Sequence, residues 1–310
     1  AQTKSLRHDL ASLAAAIPAD DRHAARDTRA DVGTAISTAS ETHRGDAWDV
    51  CAASLKRAQQ SFRSLEEYAK LIDVEFATRA EALRYQLYTL EKAIEVGRAS
   101  QDRLKGVQLC VLVDGRNSQN EFEQLINALV EARVGMIQLR DKSLDDRELI
   151  TRARLLVSLT RNTLTPHQPP APPGVSLAVD SDVAKPPAEP GAGGRTQCRT
   201  LAIINDRADI AAAVHADGVH LGQEDLKLKD ARTVVGTRML IGVSTHNIEQ
   251  ARRAVLDGAN YLGAGPTFPS RTKDFGAFAG LDYLRELARE IRLPTFAIGG
   301  ITAENLPAVL

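Results

Sequence analysis

Several short polar clusters in this 310-residue chain combine cations, carboxylates and hydroxyls in a pattern suited to phosphate chemistry. In Gln138-Leu139-Arg140-Asp141-Lys142, alternation along an extended backbone puts Gln138, Arg140 and Lys142 on one side. A planar guanidinium beside a compact ammonium suits a multiply charged phosphate, although a solvated charge pair at a loop has the same signature. Asn205-Asp206-Arg207 and Gly222-Gln223-Glu224-Asp225 each bring a carboxylate. One or two carboxylates, completed by waters and phosphate oxygens, are the donor set that hard Mg²⁺ favours. Read singly, Asp206 could cap a helix starting at Arg207, and Asp225 a helix after Leu226. In Gly242-Val243-Ser244-Thr245-His246-Asn247, small residues and hydroxyls allow backbone N–H groups and Ser244 to approach a phosphate; Asn247 or Thr245 could equally be a helix cap. The run from Gly265 to Lys273 is a constrained turn followed by hydroxyls and cations, and Ile298-Gly299-Gly300-Ile301 opens the last helical segment. His220 has no close ligand partner in the sequence and reads as structural.

These clusters sit at the ends of regularly recurring elements. From about residue 106, short apolar runs alternate with amphipathic segments: Val107–Val113, Gly135–Leu139, Leu201–Ile204, Gly218–Leu221, Met239–Val243, Asn260–Ala264 and Thr295–Ile298. That rhythm predicts βα units and a parallel sheet. A doubly wound open sheet alternates in the same way. Polar clusters after most strand ends favour a closed α/β barrel of the TIM type, where chemistry gathers on one rim and phosphate often binds after strands seven and eight. Eight strands close such a barrel, so a chain ending at Leu310 within the seventh helix is expected to lack the eighth βα unit. Residues 163–199, rich in proline and glycine, interrupt the pattern and are expected to form a disordered or extended surface loop.

Ahead of the barrel, residues 1–105 carry helical periodicity. Leu55, Ala58, Phe62, Leu65 and Ala69 form one stripe, and Phe76, Ala80, Leu83, Leu87, Leu90 and Ile94 another. Two stripes on a short connection predict an antiparallel helix pair. A first helix around Leu6, Leu10 and Leu13 should stop near Pro18. Such a bundle could also mediate homo-oligomerisation if Phe62 and Phe76 were exposed.

A formal net charge of −1 gives no bulk attraction to nucleic acid or to an anionic membrane. No apolar run is long enough to span a bilayer. Three widely spaced cysteines suggest neither a disulfide framework nor a zinc cluster and fit a reducing cytoplasm.

Taken in order, Gln-Leu-Arg-Asp-Lys, Asn-Asp-Arg, Gly-Val-His-Leu-Gly-Gln-Glu-Asp, Gly-Val-Ser-Thr-His and Gly-Pro-Thr-Phe-Pro-Ser-Arg-Thr-Lys resemble the thiamine phosphate synthase family, from Val107 to Leu310. The resemblance implies a transferase that joins hydroxymethylpyrimidine pyrophosphate to a thiazole phosphate and releases pyrophosphate. By the same resemblance Gln138, Arg140, Lys142 and Asn205 would hold the pyrimidine pyrophosphate, Asp206 and Asp225 would bind Mg²⁺, and Ser244 and Lys273 would grip the pyrophosphate. Ser270, Thr272 and Gly300 would face the thiazole phosphate, with Arg140, Lys142 and Lys273 as the catalytic cations. Ser270 stands where the family often has threonine. Exclusion of water calls for a lid, expected around Phe268–Phe278. Residues Arg26–Thr34 and the Arg57…Glu66-Glu67-Tyr68 stretch resemble a helical accessory domain fused ahead of this synthase in some bacteria. Two alternatives stand beside this reading: a thiazole tautomerase-like barrel using His246 as proton shuttle, and a noncatalytic assembly protein.

Overall fold

The computed structural model describes residues 2–24, 43–162, 199–269 and 279–310. It opens with helices α1 (Gln2–Ala15), α2 (Ala19–Ala24), α3 (Ala47–Ala69) and α4 (Val74–Arg103). The side-chain carboxylates of Asp46 and Asp73 accept backbone N–H groups at the starts of α3 and α4, satisfying donors that a helix start leaves without partners. The two helices pack as the antiparallel pair that their stripes predict. Gln59 Nε2 donates to Glu91 Oε2 at 2.6 Å, and Arg84 Nε donates to Glu66 Oε2 at 2.8 Å. Leu13, Phe62, Ala80, Leu83 and Leu87 form their core, with Leu55, Ala58 and Phe76 against it. Phe62 is therefore internal, and Phe76 is half-buried against the same core. One expected contact differs: Leu65 is exposed, and Glu66 takes the inward position beside Arg84. A paired charge can occupy a buried site that hydrophobicity alone would give to leucine.

The remainder alternates strand and helix: β1 (Cys110–Val113), α5 (Gln119–Glu131), β2 (Met136–Leu139), α6 (Asp146–Asn162), β3 (Leu201–Asn205), α7 (Ala208–Ala213), β4 (Gly218–Leu221), α8 (Leu228–Val235), β5 (Leu240–Thr245), α9 (Ile248–Asp257), β6 (Tyr261–Ala264), α10 (Gly280–Glu290) and β7 (Thr295–Ala297). All pairings are parallel, and the strands lie side by side in chain order from β1 to β7. Unbroken order decides between the two architectures the sequence allows. A doubly wound sheet reverses its order at a switch point, whereas a barrel never does. The ends of the strands match the apolar runs closely, except that β1 begins at Cys110, three residues into its run.

Strand alternation sorts the core into two layers. Ile137, Leu139, Ala202, Ile204, Val219, Ile241 and Leu262 face the helices, where Phe122 and Ile126 of α5 and Leu156 of α6 are fully buried. Each such side chain contributes about 1.5–3 kcal/mol on burial. Met136, Ile203, Leu240 and Tyr261 face inward and close the base, with Leu104 at the end of α4 beneath them. After β7 the expected helix is a single 3₁₀ turn, Leu306–Ala308, preceded by Gly299 and Gly300 at φ +98° and +64°. Left-handed backbone at two consecutive residues interrupts helical geometry at that point.

Candidate functional site at the carboxyl ends of the strands

Above the inward layer, the carboxyl ends of the strands surround a cavity of about 680 Å³. Arg140, Lys142, Asn205, Asp206, Asp225 and Ser244 all line it. The loop after β2 is shaped by Asp141, whose carboxylate accepts from Gly115 N–H at 2.9 Å, Ser143 N–H at 2.7 Å and Ser143 Oγ at 2.6 Å. Partial burial opposes its ionisation, but the Ser143 and backbone donors outweigh it and hold the carboxyl at about 2. That anchored loop, with Arg140 N–H on the Val113 carbonyl at 2.8 Å, carries Arg140 and Lys142 to the rim.

Asp206 follows β3 with φ +61°, in the left-handed region. Arg207 N–H donates to the Asn205 carbonyl at 2.7 Å across it, and Asp206 N–H donates to the His220 carbonyl at 2.8 Å. A side-chain-bearing residue in such a turn costs about 1–3 kcal/mol, and strain of this kind gathers at functional sites. Neither carboxylate caps a helix. Arg207 stands at the start of α7 and Lys227 at the start of α8, and neither start has a side-chain cap. Asp225 Oδ2 instead accepts Gly222 N–H at 2.6 Å. At the end of β5 the capping residue is Asn247, which accepts from Gln250 N–H at 2.9 Å, and not Thr245.

The two carboxylates lie within hydrogen-bond reach of each other. Burial, then the hydrogen bond and charge of Asp225, push the Asp206 carboxyl above its ordinary range. Burial also works on Asp225, yet Asp206, the Gly222 N–H and Lys142 bring it below its usual range. Such a pair shares a proton and titrates as a unit. Lys142 Nζ is 3.5 Å from Asp206 Oδ2. A divalent cation between them would replace the shared proton and relieve their repulsion, so the donor set fits a hard cation. Among the described residues no group of three or more His, Cys, Asp or Glu side chains is placed to hold a metal. A cation here would complete its shell with water and substrate oxygens.

The cavity also holds Leu112, Gln250 and Gly263, which lie in none of the motifs, and Gln223 and Ile298, which stand in motifs without an assigned role. Strand alternation could have found Leu112 and Gly263, which share the inward face with Gln138 and Ser244 in the observed register. Gln250 lies one helical turn after His246 and accepts its backbone N–H at 2.8 Å. His246 lines the cavity, with Nδ1 against the Gly265 carbonyl. Gln138 is 3% exposed and stays out of the cavity wall, beside Leu112 in register. Gly299 lines the wall and Gly300 does not. Ser270, Thr272, Lys273 and most of the expected lid lie outside the described residues, as do residues 163–198 and the Arg26–Thr34 motif.

Comparison with known proteins extends the argument from site to family. The thiamine-phosphate synthase of Rhodopirellula baltica is 40% identical to this chain over 99% of it and 75% of that relative. The chain belongs to the thiamine-phosphate synthase family. The synthase of Gloeobacter violaceus is 36% identical, covering 100% of this chain and 78% of its own. The family description "Thiamine monophosphate synthase" matches residues 194–310, and that of the ThiD2 family matches residues 1–93. Among solved structures, thiamine phosphate pyrophosphorylase from Pyrococcus furiosus aligns with a TM-score of 0.48 at 29% identity, covering 67% of this chain and 81% of that one. Thiamine-phosphate synthases are transferases of thiamine biosynthesis. Among the described residues no helix is long and apolar enough to cross a membrane.

Proposed function

We propose that this chain joins hydroxymethylpyrimidine pyrophosphate to hydroxyethylthiazole phosphate with release of pyrophosphate, in the cavity at the strand ends. The observation that carries the reading is the meeting, on one rim, of Arg140 and Lys142 with the paired carboxylates of Asp206 and Asp225. Cations alone would bind many anions. Cations beside a carboxylate pair suit a pyrophosphate that arrives with its own divalent metal.

Asp206 and Asp225 would hold Mg²⁺, which supplies charge neutralisation for pyrophosphate oxygens when bound. Arg140 offers a planar fork with no carboxylate partner among the described residues, and Lys142 a point charge whose only described ion pair is with Asp206. As the bond between the pyrimidine methylene carbon and the pyrophosphate oxygen breaks, its electron pair leaves with the oxygen. Arg140, Lys142 and Lys273 stabilise that growing charge, and Ser244 donates to it. The electron-rich pyrimidine carries the cationic methylene until the thiazole nitrogen supplies its lone pair to form the new carbon–nitrogen bond. No proton is removed in that step, so the site needs position and charge rather than a general base.

Gln138 and Asn205 serve the pyrimidine side, and Ser270, Thr272 and Gly300 the thiazole phosphate. Gln138 suits that assignment by its position on the inward face of β2, beside Leu112 in register and on the side from which Arg140 and Lys142 continue to the rim. The N-terminal 105 residues form an accessory domain and the rest the catalytic barrel. The test is product formation by the full chain from both substrates, with Mg²⁺ supplied or removed by a chelator. Metal-dependent appearance of thiamine phosphate and pyrophosphate in equal amounts supports the reading; folded protein that yields neither product overturns it.

A further inference from the structure

From Ser244 on the cavity wall a line of three polar side chains, drawn from three neighbouring strands, runs inward through two buried ones. Tyr261 Oη of β6 lies 3.2 Å from His220 Nδ1 of β4, and His220 Nε2 lies 2.9 Å from Ser244 Oγ of β5. Tyr261 is 2% exposed and His220 9%, while Ser244 reaches the cavity wall. Two glycines make room for the line. A Cβ on Gly242 would fall 2.1 Å from Tyr261 Cζ, and one on Gly263 would fall 3.0 Å from His220 Cε1. Glycine on the inward face of two adjacent strands forfeits packing, and here it admits two rings whose centroids are 5.5 Å apart.

The direction of the hydrogen bonds follows from what burial forbids. The Tyr261 hydroxyl has one hydrogen-bond partner among the described residues, His220 Nδ1. Burial drives the Tyr261 phenol well above its ordinary range, so its proton is always present and needs an acceptor. If Nδ1 carried the imidazole hydrogen, the Tyr261 O–H would be a buried donor facing a donor, at a cost of about 1–3 kcal/mol. Nδ1 must therefore accept. A ring whose Nδ1 accepts is neutral, and its one hydrogen sits on Nε2. That hydrogen goes to Ser244 Oγ and occupies an oxygen lone pair. The hydrogen of Ser244 is left to point elsewhere, and the open side is the cavity.

We propose that Tyr261 and His220 are positioning residues that fix Ser244 as a hydrogen-bond donor toward the anionic part of the substrate. With the opposite tautomer Ser244 would spend its hydrogen on His220 and turn lone pairs toward the phosphate oxygens. The relay therefore sets whether Ser244 attracts or repels the leaving group. The proposal rests on the synthase reading for the identity of the anion, but its hydrogen-bond direction does not.

The first measurement is long-range ¹H–¹⁵N correlation on the full chain labelled at histidine nitrogen, with the His220 signals assigned by their loss in His220→Gln. A neutral ring with hydrogen on Nε2 is expected, and hydrogen on Nδ1 overturns the proposal. The second is calorimetric titration with inorganic pyrophosphate and Mg²⁺. Ser244→Ala, His220→Leu and Tyr261→Phe should each weaken binding, about tenfold or more for Ser244→Ala, the loss of one charged hydrogen bond. In the Ser244→Ala background the other two substitutions should cost nothing further. His220→Gln, whose amide N–H replaces Nε2–H, should recover part of the loss seen in His220→Leu. Additive losses, or equal binding by His220→Gln and His220→Leu, would make these residues merely structural and overturn the relay. If the unaltered chain binds no pyrophosphate, the synthase reading falls, and the nitrogen spectrum alone decides the relay.

Discussion

Replacing Asp206 by glycine should remove activity without removing stability. Asp206 holds a backbone angle of +61°, which costs a side-chain-bearing residue roughly 1–2 kcal/mol that glycine does not pay. Glycine returns about 0.5–1 kcal/mol of that as extra freedom in the unfolded chain. Loss of the pair with Lys142, itself 67% exposed, costs at most about 1 kcal/mol, and relief of the crowding against Asp225 offsets part of it. These effects nearly cancel, so Asp206→Gly should lie within about 1 kcal/mol of the parent. An ordinary half-buried polar residue would lose about 1–3 kcal/mol. Turnover should fall by on the order of 10²-fold or more, as when a preorganised charge-stabilising group is removed. Urea unfolding followed by circular dichroism gives the first quantity, and product formation under saturating Mg²⁺ the second. A loss of more than about 2 kcal/mol, or retained turnover, would refute the assignment of Asp206 as a strained functional carboxylate.

Acidity should act on the same residue with a definite sign. Because the folded-state pKa of Asp206 is raised, the folded chain holds a proton that the unfolded chain releases, so this group's contribution to stability falls as pH rises from about 4 through the raised value. Asp206→Asn should remove that slope, seen as a smaller pH dependence of the urea midpoint than in the parent. Gly242→Ala should destabilise by about 1–3 kcal/mol or more, since its Cβ would fall inside the Tyr261 ring; a thermal melt indistinguishable from the parent's would contradict the packing described. Glu66→Leu alone should cost about 3 kcal/mol by leaving Arg84 buried without its carboxylate, whereas Glu66→Leu with Arg84→Met should recover most of it. Denaturant titration of both variants checks the difference.

The strands were the most legible part of the molecule. A parallel sheet buries both faces of its strands, so runs such as Met136–Leu139 and Gly218–Leu221 stand out as short, mainly apolar segments, each carrying one polar residue, Gln138 or His220. The helix pair was legible to within one position. Its failure at Leu65 came from a charge pair, Glu66 with Arg84, whose partners lie on different helices and have no local signature. Charged and small residues made most of the site visible as a set of rim clusters. What stayed hidden depends on three-dimensional register: Leu112 and Gly263 are ordinary residues until their strands are aligned, and Tyr261 belongs to no motif near His220. The positive φ of Asp206 could not be read either, because aspartate occurs freely in unstrained turns.

One helix carries an implication for anyone who would cut this chain. At 30 residues α4 is about 45 Å long, and its two halves have different company. The first half packs against α3. Toward its end Ser100 accepts from Asn260 at 2.9 Å, Gln101 donates to the Arg292 carbonyl at 2.8 Å, and Arg103 reaches the Arg238 carbonyl. The ThiD2 match ends at residue 93, inside this rod, so the border that a gene-level parsing would suggest is not a joint in the protein. Excising residues 1–93 would leave a ten-residue helical stump to floor the barrel. Transplanting the same span would carry off a helix missing its last third. Any chimera or truncation should instead be spliced beyond Leu104, where the rod has ended and the first strand has yet to begin.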